Sequence, residues 1–545
     1  MTLLPTLALT LSDALACGGF FCDSAQPVDQ AGERIVFAID EAAGQIEMHV
    51  QVAYEGPASE FSWLLPVPTQ PEVLLSTDDL FVRLGAATAP QFVPTRVEVG
   101  RCLQPIGRSF DLAVQDSGST NGEFGGVTIT SASQVGPYDV TVLTATDTAT
   151  LTAWLDENGY DLPEGGEAKL GAYVSSGSYF VALKLQKDRD DGDLAPVALR
   201  FPGTEPIIPL QLTAVAVTSE LPIQPFVLSR ARAVPENYLH VVINELLVDW
   251  TLAGANYPSV LARAADEAGG QAFATDFAGE LAPLGVQTWA PGQYDLDAMA
   301  AARDASQLSG LLSQPFVVLG DQSWQAQPGI PVSTGTIPIL ARHVDIPQGV
   351  APADYLGCLG CYGDPRDHAV DGVGLAAALE AEWVKPMQEI QAMLDRSAWV
   401  TRMSSSMSAA EMTIDPRFVI NPDLPATAVG DGATMEILCQ GTHTAQNAPR
   451  RLVLEDGTFL DLPSSDQAAE IGFVWEDWVV GMGDLNALVV EQTGRSGDAV
   501  PVRDNRAAVA DALSVLNRGC GCDGVGGGLG WLAAAGAVVA RRRRS

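Results

Sequence analysis

Apolar and polar residues alternate with a period of two near the start of the chain. The alternation covers residues 34–39 and 45–54, and residues 40–44 between them have the composition of a hairpin turn. Apolar runs bounded by proline or glycine predict further strands, at residues 61–68, 179–186, 197–201 and 210–217. The first half of the chain is therefore predicted to be rich in strands.

Helical periodicity dominates later in the sequence. Apolar residues spaced three or four apart predict helices at residues 77–87, 149–158, 238–247, 257–268, 373–392 and 506–516. Strands first and helices later indicate an α+β fold, with a strand-rich N-terminal half and a mixed helical second half. The predicted units are residues 17–230 (strand-rich), 231–425 (mixed helical) and 426–518 (small α+β), between end segments 1–16 and 519–545.

The charge balance excludes several functions. The 545 residues carry 30 Lys and Arg against 67 Asp and Glu, a formal net charge of −37. Such a surface repels phosphate backbones and anionic lipid headgroups, so nucleic-acid binding is not expected. Because 47% of the residues are hydrophobic, the chain can still bury a large core.

Residues 1–16 have the features of a secretory signal peptide. An apolar run leads to Ala14-Leu15-Ala16, where small residues at Ala14 and Ala16 fit a signal-peptidase cleavage site. Two alternatives remain at this stage, namely a buried N-terminal helix and a lipoprotein acylated at Cys17. The preferred interpretation is the signal peptide, which implies that the export machinery recognises the protein.

The C-terminal 27 residues combine three features. Cys520 and Cys522 precede a charge-free stretch at 524–540, and four arginines end the chain, at Arg541, Arg542, Arg543 and Arg544. The stretch has the minimum length of a transmembrane helix, and the arginines are expected to stay in the cytoplasm. This tail resembles the MYXO-CTERM sorting signal of myxobacterial surface proteins. The resemblance implies a sorting protease that cuts near the two cysteines, and a product held at the cell surface.

In an exported protein, the remaining six cysteines first predict disulfides. They are Cys17, Cys22, Cys102, Cys358, Cys361 and Cys439. Gly18 and Gly19 allow a turn that would bridge Cys17 to Cys22, and Cys358-Leu-Gly-Cys361 is expected to form a structural disulfide in a loop. The alternatives for this second pair are a redox centre and a zinc half-site completed by His368 and the distant Cys102 or Cys439.

No catalytic motif, cofactor motif or metal site is evident. The five histidines lack the spacing of a zinc protease, and there is no G-x-S-x-G or P-loop. The acidic segment 188–193 lacks the calcium-loop register and is predicted to be a turn.

Several segments together resemble one bacterial family. They are residues 16–22 (ACGGFFC), 27–35, 54–58, 61–68 (FSWLLPVP), 80–81, 412–418 and 421–424. Over about residues 17–425 the chain resembles the exported family known as domain of unknown function 2330. The resemblance implies an exported bacterial protein, and it supplies no catalytic residue.

Two functions are therefore compared. The preferred hypothesis is a surface-anchored envelope protein that binds a ligand or has a structural role, with ligand unknown. The alternative is an extracellular hydrolase whose site is built from dispersed carboxylates. A deep pocket with convergent acids or a histidine would favour the hydrolase.

Overall fold

The computed structural model describes residues 32–51, 62–102, 128–160, 162, 165–186, 195–215, 217, 220–312, 335–439, 444–445, 447–462, 464 and 485–519. Within these ranges the chain forms 21 strands. In chain order they are β1 Glu33–Asp40, β2 Gln45–Gln51, β3 Ser62–Val67, β4 Glu72–Leu75, β5 Thr95–Val99, β6 Thr128–Val135, β7 Tyr138–Thr144, β8 Tyr179–Leu185, β9 Val197–Pro202, β10 Leu221–Ser229, β11 Ala233–Pro235, β12 Leu239–Ile243, β13 Ala272–Glu280, β14 Trp399–Met407, β15 Phe418–Ile420, β16 Thr427–Ala428, β17 Thr434–Leu438, β18 Arg450–Val453, β19 Phe459–Leu462, β20 Ala487–Gln492 and β21 Val500–Asp504.

The same ranges contain twelve α-helices. They are α1 Asp78–Thr88, α2 Thr148–Glu157, α3 Gly166–Ser175, α4 Leu210–Thr213, α5 Tyr257–Glu267, α6 Leu296–Ala301, α7 Ala305–Leu312, α8 Ile337–Ala341, α9 Pro352–Gly357, α10 Gly372–Leu379, α11 Lys385–Arg396 and α12 Arg506–Gly519. Short 3₁₀ helices lie at Glu245–Leu247, Trp250–Leu252, Ala282–Leu284, Leu359–Tyr362 and Pro365–Asp367. A π-helical turn, Glu380–Val384, joins α10 to α11.

One large mixed sheet organises the described part of the chain. Its strand order is β21-β20-β12-β13-β14-β10-β1-β2-β9-β4, and β16 pairs with β13. Strands β1 and β10 are parallel, as are β12 and β13, whereas β1–β2, β2–β9 and β9–β4 are antiparallel. The sheet thus takes strands from all three predicted central units, whose boundaries stay predictions.

A second sheet, β3-β8-β7-β6, packs face to face with the β1, β2 and β9 part of the large sheet. Ile46, Met48 and Val50 of β2 share this buried cluster with Trp63 of β3, as expected for residues two apart on a strand. Helices α2 and α3 cover the outer face of the second sheet, and Trp154 of α2 is buried there.

Helices α1 and α11 cover the opposite face of the large sheet. Their residues Leu80, Phe81, Ile390 and Met393 pack in the same cluster as Val36 of β1. Described residues on both sides of the 313–334 gap, among them Met299, Leu340, Tyr355 and Met387, form a separate, mainly helical core. The remaining described strands form a four-stranded sheet, β19-β18-β17-β5, and the β11–β15 pair.

The α+β class and the strand-rich first half agree with the prediction from sequence. Two predicted elements are wrong. Residues 210–217, predicted as a strand, begin with the short helix α4 after Pro209. Residues 238–247, predicted as a helix, form β12 followed by a 3₁₀ turn, because Val241 and its neighbours pair with β13 and β20. Such long-range pairing overrides a local helical pattern.

Within the described ranges, no helix is long and apolar enough to cross a membrane. The predicted span at 524–540 lies outside those ranges, as do residues 1–31.

Candidate functional site

A row of polar side chains lies on one face of β2. Glu47, His49 and Gln51 are two residues apart, so their side chains leave the strand on the same side. Their apolar neighbours on β2 fill the core between the sheets, which directs this row toward α1 and α11. Glu47 and His49 are both buried. Buried polar groups at such a place need partners, and the structure provides them.

Glu47 forms the charged end of the row. Its Oε2 lies 3.2 Å from Nε of Arg200 and 2.9 Å from Nη2 of Arg396, and its Oε1 lies 3.2 Å from Nε2 of His49. Burial alone would raise the pKa of Glu47. The hydrogen bond from His49, the charge of His49 and then the charges of Arg200 and Arg396 outweigh burial and lower this pKa to about 2. Glu47 is therefore a carboxylate at any physiological pH.

His49 connects this carboxylate to a serine hydroxyl. Its Nδ1 lies 2.7 Å from Oγ of Ser76. In the neutral form of the ring, Nε2 carries the proton, because the ionised Glu47 only accepts, and Nδ1 accepts from the Ser76 hydroxyl. Carboxylate, imidazole and hydroxyl thus form one continuous chain of hydrogen bonds.

Ser76 lies at the turn between β4 and α1. Its backbone N–H donates to the carbonyl oxygen of Pro196 at 2.8 Å, which fixes the turn against β9. Thr77 is the residue that precedes the first turn of α1, and its side chain makes no capping hydrogen bond. The Thr77 Oγ1 atom is buried and has no hydrogen-bond partner among the described residues.

Ser76 and Thr77 line a cavity of about 290 Å³. The β4–α1 turn forms one wall, and α8 with the π-helical turn forms another. Its apolar lining consists of Leu75, Pro137, Ala195, Pro196, Ile337, Pro338, Ile339 and Trp383, and Gly335 adds backbone. The polar lining consists of Ser76, Thr77, Asp78, Arg342 and Glu382. The volume is at the lower limit of small-molecule pockets.

The charged side chains of the lining are already engaged. Nη2 of Arg342 contacts both carboxylate oxygens of Glu382, at 2.7 and 2.6 Å. Oδ1 of Asp78 accepts from Nε2 of Gln51, the third member of the polar row, at 2.7 Å. One arginine against two acids leaves the lining with a formal charge of −1. A strongly anionic ligand is therefore disfavoured.

The structure contains two disulfides among the cysteines considered from sequence. Cys102 bonds to Cys439, with Cα atoms 4.9 Å apart, beside the parallel strands β5 and β17. Cys358, which directly follows α9, bonds to Cys361 in the 3₁₀ helix Leu359–Tyr362, with Cα atoms 5.4 Å apart. No group of metal-binding side chains occurs in the described ranges.

The other residues predicted from sequence lie outside the described ranges. They are Cys17, Cys22, Ala14, Ala16, Cys520, Cys522, Arg541, Arg542, Arg543 and Arg544, and the acidic segment 188–193. The structure therefore leaves the signal cleavage, the Cys17–Cys22 bridge and the sorting tail as predictions.

Sequence reasoning missed the Glu47–His49–Ser76 chain. One signal was present, because an acid and a histidine two apart in a predicted strand must share a face. The serine, however, follows in another strand–helix connection, and no local motif marks it.

The described chain is an α+β protein with two sheets packed face to face and a small cavity reached by a buried carboxylate–imidazole–hydroxyl chain. It belongs to the family DUF2330, described as an uncharacterized protein conserved in bacteria, whose model matches residues 11–306. The match contains Glu47, His49 and Ser76, but not Arg342, Glu382 or the resembling segment at 412–418. No curated protein and no solved structure matches the chain.

Proposed function

We propose that this protein is exported, is held at the bacterial cell surface through its C-terminal tail, and binds a small neutral or cationic molecule in the cavity at the β4–α1 turn. Support for export comes from the signal-like residues 1–16 and from the tail at 519–545. The Cys102–Cys439 and Cys358–Cys361 disulfides fit an oxidising compartment. The partners in this proposal are the export machinery and a C-terminal sorting protease.

The observation that carries the binding proposal is the buried hydroxyl of Thr77, a residue of the cavity lining, which has no hydrogen-bond partner among the described residues. Buried polar groups in folded proteins are nearly always hydrogen-bonded, and a missing partner costs about 1–3 kcal/mol. A ligand with a polar group at this position satisfies the hydroxyl. The apolar lining and the formal charge of −1 favour a compact neutral or cationic molecule over an anion.

Thermal denaturation with two sets of compounds tests the binding proposal. We expect a neutral or cationic set (glucose, choline and an N-acetyl amino-acid amide) to include a compound that raises the Tm, whereas citrate and phosphate do not. Ile337→Trp fills the cavity and should abolish the shift. Val82→Trp places the same side chain on the exposed face of α1 and should retain it. A shift that survives Ile337→Trp, or one given by the anions alone, contradicts the proposal.

Mass spectrometry of the surface form tests the export proposal. We expect a mature chain that begins at Cys17 and ends near Cys520 or Cys522, without Arg541 to Arg544. Replacing both Cys520 and Cys522 by Ala should leave the uncut precursor in the inner membrane. If the mature chain retains Arg544, a simple one-helix anchor replaces the sorting mechanism.

A further inference from the structure

We propose that Ser76 is a nucleophile that hydrolyses small neutral or cationic carboxylic esters in this cavity, with His49 as its general base and Glu47 as the residue that positions His49. This inference rests on the proposed function, because it uses the same cavity as the substrate site. It also departs from the hydrolase hypothesis drawn from the sequence, which built the site from dispersed carboxylates. The two acids of the cavity lining, Asp78 and Glu382, are engaged by Gln51 and Arg342, so the hydroxyl is the group placed for chemistry.

The three groups stand in the order that activates a serine hydroxyl. A hydroxyl becomes a useful nucleophile when a base accepts its proton and a third group orients that base. Ser76 Oγ lies 2.7 Å from Nδ1 of His49, and Nε2 of the same ring lies 3.2 Å from Glu47. Such constellations are recognised by geometry and roles rather than by sequence order, and either ring nitrogen of a neutral imidazole can serve as the acceptor.

The position of Ser76 also suits a nucleophile. It lies on a strand-to-helix turn, at the N-terminal end of the 11-residue helix α1 and on the wall of the cavity. Asp78 and Asp79 occupy the first turn of this helix and offset its dipole, so a hydroxyl donor beside Ser76 is needed for negative charge that develops there. The adjacent Thr77 hydroxyl is buried and has no partner in the part of the chain that the structure describes. It is therefore available to donate to the oxygen that becomes negative in the transition state.

The reaction follows from these positions. Ser76 Oγ attacks the ester carbonyl carbon while its proton moves to Nδ1 of His49, and the carbonyl π electrons move onto oxygen. When the carbonyl reforms, the ester C–O bond breaks, and the leaving alkoxide takes the proton from His49. Water then attacks the acyl-serine, giving its proton to His49. The acyl C–Oγ bond breaks, Ser76 recovers the proton, and a carboxylic acid leaves. Glu47 stays ionised throughout.

The size and lining of the cavity limit the substrate. About 290 Å³ accommodates a small acyl group and a small alcohol. Leu75, Ile337 and Trp383 provide the apolar contacts for such a molecule. The probes are therefore compact, namely diisopropyl fluorophosphate as a covalent reagent and p-nitrophenyl acetate as a chromogenic ester.

The test labels the mature exported protein with diisopropyl fluorophosphate and maps the modified peptide. We expect modification at Ser76, with loss of fluoride. Ser76→Ala should abolish labelling, and His49→Gln should slow it by about 100-fold or more. Ser62→Ala is the matched control, since Ser62, at the start of β3, is also a buried serine but does not line the cavity. It should be labelled at the wild-type rate. Circular dichroism confirms that each variant is folded.

Hydrolysis of p-nitrophenyl acetate tests the two supporting residues. Thr77→Val should lower kcat by about 100-fold. Glu47→Gln should lower kcat with little change in KM, and Glu47→Asp should restore part of the rate, a pattern that a purely structural role does not produce. Rates are normalised to the folded fraction of each variant.

The outcomes separate this inference from the binding proposal. Absence of label at Ser76, or a wild-type labelling rate in His49→Gln, overturns the nucleophile. If the ligand-induced Tm shift is then still abolished by Ile337→Trp, the binding proposal stands alone. If that shift is absent as well, both fail.

Discussion

Two buried glutamates on adjacent strands show opposite electrostatic behaviour. Glu47 on β2 contacts His49, Arg200 and Arg396, and its pKa is lowered to about 2. Glu33 on β1 has a single hydrogen bond with a described side chain, from Thr213 Oγ1 at 3.4 Å. Burial, with a smaller contribution from the carboxyl of Asp415, raises the pKa of Glu33 to about 7.

The comparison shows that partners, rather than burial, decide the charge of an interior carboxyl. Glu33 and its neighbour Asp415 lie close to each other, and burial raises the pKa of both. Asp415 is held by the backbone N–H of Gln211 and by the Tyr173 hydroxyl, each at 2.9 Å. Within the described ranges, the only positive side chain that acts on this pair is Lys169, which lowers the pKa of Asp415 less than burial raises it, whereas Arg200 and Arg396 both contact Glu47. The charged centre, which is Glu47 with His49, Arg200 and Arg396, is the one connected to the cavity.

The largest expected effect is on the charged centre. Glu47→Gln removes the acceptor shared by two arginines and should lower the free energy of unfolding by about 3–5 kcal/mol. Chemical denaturation measures it. Glu389→Gln is the control, because Glu389 also contacts Arg200, at 3.3 Å, but its side chain is 54% exposed. It should cost less than about 1 kcal/mol. If Glu47→Gln and Glu389→Gln lower the free energy of unfolding equally, the buried contacts of Glu47 contribute no more than the exposed contact of Glu389.

Lowering the pH should remove the stability that Glu47 gives to the wild-type protein. The pKa of Glu47 is lower in the folded state than in the unfolded state, so the folded state binds fewer protons. The stability due to Glu47 is present above about pH 4.5 and is lost as the pH falls toward 2. A shift of this size corresponds to about 3 kcal/mol. The loss should appear as the difference between wild type and Glu47→Gln across that range, and parallel curves would contradict it.

The stability due to Glu33 should respond to pH in the opposite direction. Because the pKa of Glu33 is raised in the folded state, stability falls as the pH rises from about 4.5 to 7. Glu33→Gln removes this cost and should stabilise the protein at pH 8 by on the order of 1–3 kcal/mol, with no gain at pH 4. Denaturation at the two pH values measures the difference. A variant less stable than wild type at pH 8 would show that Glu33 has a charged partner.

The smallest expected effect concerns the hydrogen bonds that hold the Asp415 carboxyl. Tyr173→Phe removes one donor to this buried carboxyl and should cost about 1–2 kcal/mol. Tyr362→Phe, on an exposed side chain, should change stability by less than about 0.5 kcal/mol. Thermal unfolding of the two variants compares them directly. An unchanged Tm for Tyr173→Phe would mean that Gln211 alone supports Asp415.

Local patterns predicted the elements that carry the two glutamates. The period-two alternation around Glu47 and His49 predicts β2 and places both side chains on one face. The neighbourhood of each glutamate was not predictable. Arg200 arrives through the β2–β9 pairing, Arg396 through α11, and Ser76 through the β9–β4 pairing. Such partners are set by tertiary packing, which leaves no periodic mark in a single sequence.

The parallel pairing of β1 with β10 has a consequence for how the chain is made. The residues that complete this edge, from Leu221 onward, are synthesised roughly 190 residues after Glu33. At about 5–20 residues per second, the β1–β2 hairpin waits about 10–40 seconds for its neighbour. During that interval an apolar strand edge is open to other chains. Until β10 has been synthesised, this edge of the β1–β2 hairpin is therefore a place where the growing chain can pair with another chain.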